Sequence, residues 1–109
     1  MKGPPMFRTA MTFQLKPGCY DQYKRAHDEI WPDIAASMAD NDVSMAIYHY
    51  RGRLFMFAVA PSETHWDRSL ADRALARWHA HIATMMVTDT DGRSVVEDMD
   101  EAFVFGMFK

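Results

Sequence analysis

Cysteine is nearly missing: Cys19 is the only one in 109 residues. A lone thiol closes no internal disulfide and builds no cysteine-based metal cluster, so a reduced, cytoplasmic protein is expected. Glycine is sparse too. The five glycines are scattered, and they form neither a phosphate-cradling loop nor a Gly-x-Ser-x-Gly nucleophile elbow. No stretch approaches 18 uninterrupted apolar residues, which argues against a transmembrane helix. Met1-Lys2-Gly3-Pro4-Pro5 leads into no apolar h-region, so no secretory signal is expected. Basic residues form no run or stripe, and the formal net charge is -3. Nucleic-acid and anionic-membrane partners therefore lack an electrostatic basis.

What is present is ordinary globular material. Apolar residues make up 49% and charged residues 25% of the chain. The length suits one domain with one modest core, residues 1–109, with 1–5 expected to be flexible. Ten methionines are many, and they are expected to fill core and interface gaps.

Periodicity gives the order of elements. Met6–Leu15 alternates apolar and polar residues and reads as a strand. Cys19–Ala39 has helical spacing, with Tyr23, Ile30, Ile34 and Met38 on one stripe. Pro32 interrupts it, so the helix should kink or restart near Trp31. Val43–Tyr50 and Arg53–Ala60 read as a hairpin joined by Arg51-Gly52. A second helical region follows, with Ser62 as an N-cap and a break near Asp72. Thr88–Gly92 evokes a calcium loop but lacks the later acidic ligand, and reads as a polar turn. The last strand is expected within Asp98–Phe108.

The order β-α-β-β-α-β is the ferredoxin-like pattern, an α+β fold with an antiparallel sheet and helices on one face. Phe7, Phe13, Ile47, Phe55, Phe57, Phe103 and Phe105 are too apolar to leave the other face wet. A homodimer through the sheet face is therefore expected, as a dimeric α+β barrel.

Chemistry concentrates in two helical stretches. Tyr23, His27 and Trp31 are spaced four apart and share a helix face. The plain reading is an aromatic stripe packed on the sheet. The functional reading is a sugar site, where a phenol bonds hydroxyls, an imidazole moves a proton near neutrality and an indole stacks on a C–H face. Trp78, His79 and His81 cluster on the second helical stretch. Core packing accounts for Trp78. His79 and His81 point to different sides of a helix, and no His-x3-His or His-Glu-x2-His spacing exists, so no metal is expected. His49 belongs at the buried side of its strand or at the hairpin end, and His65 and Trp66 read as surface packing.

The segments "YKRAHDEIWPDI" (23–34), "AIYHYRGRLFMFAVA" (46–60) and "ARWHAHI" (76–82) together resemble the L-rhamnose mutarotase family, whose hallmark is Tyr-x3-His-x3-Trp-Pro-Glu-Leu. The resemblance covers nearly the whole chain. It implies a ferredoxin-like dimer that interconverts the α and β anomers of a 6-deoxy hexose without metal or other cofactor. It implies His27 as the proton donor, Tyr23 as a sugar contact one turn earlier, and Trp78 as the first of a Trp-Trp pair. Trp31 and Pro32 would shape and support the pocket. Two positions depart from the family: His79 replaces the second Trp, and Met45 stands where a sugar-contacting Tyr is expected. Tyr48 cannot substitute for that Tyr, because it faces the opposite side of the strand. These changes bear on which ring hydroxyls are read, so L-fucose competes with L-rhamnose as substrate. Met45 or Ile30 would contact the C6 methyl. Two rival classes share the architecture: a dimeric α+β barrel monooxygenase and a non-catalytic ligand-binding module.

Overall fold

The computed structural model describes residues 6–109, so the expected flexibility of 1–5 lies outside the described residues. Strand β1 (Phe7–Gln14) is followed by helices α1 (Tyr20–Asp28) and α2 (Pro32–Asp40). Strands β2 (Ser44–Tyr50) and β3 (Arg53–Ala60), helices α3 (Glu63–Leu70) and α4 (Arg73–Ala83), and strand β4 (Val96–Asp98) complete the domain. The sheet runs β2-β3-β1-β4, antiparallel throughout, which is the ferredoxin-like arrangement.

Local chemistry explains the breaks. The residue before a proline is driven to extended backbone, and Trp31 sits at φ -60°, ψ 136°. The expected single helix therefore ends at Asp28 and restarts with Pro32 in the first helical position, where its missing N–H costs nothing. Ser62 caps α3 by accepting from the His65 N–H at 3.3 Å, and Asp72 caps α4 by accepting from the Ala74 N–H at 2.8 Å. Arg51 and Gly52 both take positive φ, 51° and 79°, the condition for a type I′ hairpin turn.

Register then assigns faces. Phe13 pairs with Leu54, Met11 with Met56 and Ile47 with Met56, so these side chains share one face. That face meets Tyr23, Ile34, Trp66, Trp78 and Ile82 to form the core, with Met85 and Met86 filling its floor. Trp66 is buried and packs 6.0 Å from Phe7, so its expected place on the surface is corrected: its position in α3 turns inward onto β1. The opposite face carries Ala46, Tyr48, Tyr50, Phe55 and Phe57, and Tyr48 and Tyr50 remain 72% and 62% exposed.

The last strand is also corrected. It lies at Val96–Asp98, paired with Met11–Phe13, so of the expected Asp98–Phe108 only Asp98 belongs to it. One further bond, Met99 N–H to Ala10 O at 2.9 Å, ends the ladder. Phe103 and Phe105 belong to no strand and are 83% and 74% exposed. Alternation at 102–105 marks a segment able to form a strand, but the chain leaves β1 after the Met99 bond and 102–105 pairs with no strand. No described helix is long and apolar enough to cross a membrane.

Candidate active site

Between the helix-facing side of the sheet and helices α1–α4 lies a cavity of about 640 Å³. Tyr23, His27, Met45, Trp78 and His79, singled out from sequence on three separate segments, all line it. Trp31 and Pro32 do not. Trp31 stands behind the wall, edge-on to Trp78 at 5.1 Å between ring centroids. The structure also brings Arg93 and Ser94 of the polar turn, with Ser37, Ser69 and Asp72, to the lining. Nothing in the local sequence marks Arg93. The loop that carries it closes by a Thr88–Ser94 bridge and folds back over the cavity.

His27 is held on three sides. Its ring lies 4.2 Å from Tyr23 and 5.2 Å from Trp78, nearly perpendicular to the latter. Its Nδ1 is 3.0 Å from the Tyr23 carbonyl oxygen. A carbonyl only accepts, so Nδ1 carries the proton and Nε2 of the neutral ring is left with a lone pair. Burial pulls the His27 pKa below its ordinary value, opposed by that hydrogen bond and by the Asp28 carboxylate. At neutral pH His27 is therefore an acceptor at Nε2.

Tyr23 is its complement. Burial pushes its pKa up, so the phenol stays protonated and can donate. The hydroxyl makes no hydrogen bond to a described residue, and Tyr23 lines the cavity. His79 keeps an exposed edge, yet the surrounding walls lower its pKa by desolvation. His81 points elsewhere, stacking on Trp31 at 5.7 Å. The opposed directions of His79 and His81 follow from their spacing on α4. His49 lies at the hairpin end, stacked 3.8 Å from Tyr20, with Nε2 accepting from the Gly52 N–H. His65 pairs with Ser62 at the start of α3. Neither His49 nor His65 lines the cavity. Among the described residues, no three His, Cys, Asp or Glu side chains converge as metal ligands would.

A sequence model of one family, L-rhamnose mutarotase, matches residues 8–105. The chain belongs to the L-rhamnose mutarotase family. Membership makes it a carbohydrate isomerase. An L-rhamnose mutarotase of Enterobacter sp. (strain 638) is 30% identical over 101 residues, covering 90% of this chain and 97% of that one. The relative from Escherichia coli O8 is 29% identical with the same coverage. Among solved structures, an L-rhamnose mutarotase from Formosa agariphila superposes with a TM-score of 0.76 at 24% identity, covering 92% of this chain and 99% of that one. A putative antibiotic biosynthesis monooxygenase from Caulobacter crescentus superposes at 0.64 with 13% identity, covering 91% of this chain and 92% of that one. Both structural likenesses concern the fold. The mutarotase fold is thus shared with oxygenases, and the family match separates the two.

Proposed function

We propose that this mutarotase interconverts the α and β anomers of L-rhamnose, with His27 as its proton-transfer group. The observation that carries the proposal is the gathering of Tyr23, His27, Trp78 and His79 around one largely apolar cavity, with Nε2 of His27 as the free nitrogen.

Mutarotation opens a cyclic hemiacetal. Nε2 of His27 accepts the proton of the anomeric hydroxyl. The O–H electron pair becomes the carbonyl π bond, the C1–O5 bond breaks with its electron pair on O5, and O5 takes the proton that Nε2 of His27 now carries, which returns the ring to its neutral form. Rotation about C1–C2 and the reverse sequence give the other anomer. His27 is thus a base before it is an acid. The donor role implied by the family motif is available only once Nε2 has taken a proton. Tyr23, held in its phenol form, donates a hydrogen bond to an oxygen of the sugar. Trp78 supplies an apolar wall to the ring, and Met45 contacts the C6 methyl. His79, where the motif has an indole, exchanges a stacking surface for a hydrogen-bonding one and contacts a ring hydroxyl.

The acting unit is a homodimer joined through the outer sheet face. Tyr48, Tyr50, Phe55 and Phe57 form an apolar surface there that a monomer would leave in water. A reducing, cytoplasmic location suits the single free thiol, Cys19.

Saturation-transfer NMR on the purified protein, with L-rhamnose and L-fucose in parallel, tests the assignment. Exchange between the two anomeric proton signals should rise above the uncatalysed rate with L-rhamnose. Faster exchange with L-fucose would reassign the substrate and point to Met45 and His79 as the cause. No enhancement with either sugar would overturn the proposal.

A further inference from the structure

Arg93 is the one polar side chain of the cavity wall that neither the fold nor the proton transfer uses. Among the described residues, Asp72 and Arg93 alone bring a fixed charge to the lining. The remaining polar groups there are engaged. Ser37 donates to the Ser69 carbonyl at 3.3 Å, Ser69 to the Trp66 carbonyl at 2.7 Å and Ser94 to the Met86 sulfur at 3.6 Å. Asp72 accepts from the Ala74 N–H. Tyr23 and His27 face the anomeric centre, and His79 a ring hydroxyl. The Arg93 guanidinium forms no ion pair with a described residue. Its backbone, by contrast, is fixed. Asp89 Oδ1 accepts from the Asp91 N–H at 2.9 Å and the Arg93 N–H at 3.0 Å, and the Asp89 N–H donates to the Arg93 carbonyl at 2.8 Å. Gly92 takes the positive φ of 78° that so tight a turn requires. Asp89, part of the turn that evokes a calcium loop, is thereby committed to holding Arg93 at the cavity.

Register shows which part of a sugar Arg93 meets. Tyr20 of α1 stacks on His49 of β2, so α1, with His27, lies toward the β2 edge of the sheet. Met45 is on that edge too, aligned through Ala58 with Thr9 in the first half of β1. Arg93 shortly precedes Val96, which pairs with Phe13 near the end of β1 on the opposite edge. Met45 and Arg93 therefore approach the cavity from diagonal corners. About 20 Å of sheet separates Met45 from Val96 along that diagonal, a distance that a methionine side chain, one pyranose ring and an extended arginine side chain fill together. Ring geometry does the rest. With the C6 methyl at Met45, C5 points to that corner, and the ring atom opposite C5 is C2. The guanidinium, a planar fork of N–H donors with no acceptor, then faces the C2 hydroxyl and its C3 neighbour.

We propose that Arg93 is a specificity-determining residue, donating hydrogen bonds to the C2 and C3 hydroxyl oxygens of the sugar and so reading the configuration at C2. This assignment rests on L-rhamnose being the substrate, with its C6 methyl at Met45. In L-rhamnose the C2 hydroxyl is axial and cis to the C3 hydroxyl. In 6-deoxy-L-glucose, its C2 epimer, and in L-fucose the C2 hydroxyl is equatorial. A fork set for the cis pair loses one of its two bonds when that oxygen swings toward the ring plane.

Anomer exchange measured against sugar concentration tests it, with L-rhamnose and 6-deoxy-L-glucose as substrates for the parent, Arg93→Gln and Arg93→Lys proteins. Arg93 is exposed, so circular dichroism of both variants should match the parent. Arg93→Gln should raise KM for L-rhamnose about 10-fold and change kcat less than about 2-fold, because the contact lies away from C1. The parent's preference in kcat/KM for L-rhamnose over the epimer should shrink about 10-fold in the same variant. Arg93→Lys keeps the charge without the fork, and should recover part of the affinity and little of the preference. Parental KM and preference in Arg93→Gln would overturn the inference and leave L-rhamnose standing as substrate. A raised KM with the parental preference would also overturn it, since Arg93 would then attract both sugars alike. No exchange of L-rhamnose by the parent protein would overturn the substrate assignment and this inference with it.

Discussion

A single hydrogen bond sets the chemistry of His27. The Tyr23 carbonyl, one helical turn back, accepts a hydrogen bond from Nδ1–H and leaves a lone pair on Nε2, the atom proposed to move the proton. His27→Ala should lower kcat by about 100-fold or more with the fold intact, measured by anomer exchange and circular dichroism. The pH dependence follows from the lowered pKa. The base form persists below the ordinary value of 6.5, so the acid limb of kcat/KM should fall on the acid side of 6.5. The same shift affects stability. Above 6.5 the ring is neutral folded or unfolded, and the group contributes no pH dependence. As pH drops below that value the unfolded chain takes up a proton first, so stability declines until the folded-state pKa is passed. His79 acts in the same direction. Urea titrations between pH 7.5 and 5 should show the decline, and His27→Ala should flatten part of it. Tyr23→Phe removes the donor while keeping the ring, and should reduce the exchange rate by about 10-fold.

Element ends decide where these residues point. The Trp31-Pro32 break lets α1 and α2 lie at different angles, so His27 faces the cavity from the last turn of α1 while Trp31 backs Trp78. Trp31→Ala should destabilise the protein by about 2 kcal/mol in chemical denaturation, since a half-buried indole is lost from the Trp78 and His81 contacts. Its effect on exchange should be smaller than that of His27→Ala, because Trp31 touches no part of the cavity. The caps are simpler. Ser62→Ala and Asp72→Ala should each cost about 1 kcal/mol of stability with little change in rate, though Asp72 also borders the cavity. Sequence identified these ends because caps and prolines act on their nearest neighbours. It placed Trp66 on the surface because a single indole at a helix start has no periodic partner to reveal which way it turns.

At the scale of the molecule, the sheet separates two apolar faces with different tasks. One makes the core and cavity. The other, bearing Tyr48, Tyr50, Phe55 and Phe57, is the surface inferred to join two copies. Phe55→Glu would set a carboxylate on that surface and should convert dimer to monomer in sedimentation equilibrium, without unfolding the subunit. The sequence by itself determined the element order, the breaks at Pro32 and Asp72, the Arg51-Gly52 turn and the candidate residues Tyr23, His27, Trp78, His79 and Met45 that line the cavity. These rest on short-range rules and on a family motif that spans the end of α1, the Trp31-Pro32 break and the start of α2. The family resemblance placed Met45 and His79 at one site with Tyr23 and His27, and the tertiary structure brings the four to one cavity; it alone decided that Arg93 joins them. It alone decided that β4 ends at Asp98, with one further bond from Met99, and that Phe103 and Phe105 lie outside the sheet and exposed. Periodicity records which side chains share a face of their own segment. Which segments lie against that face is fixed by long-range pairing, and local spacing carries no trace of it.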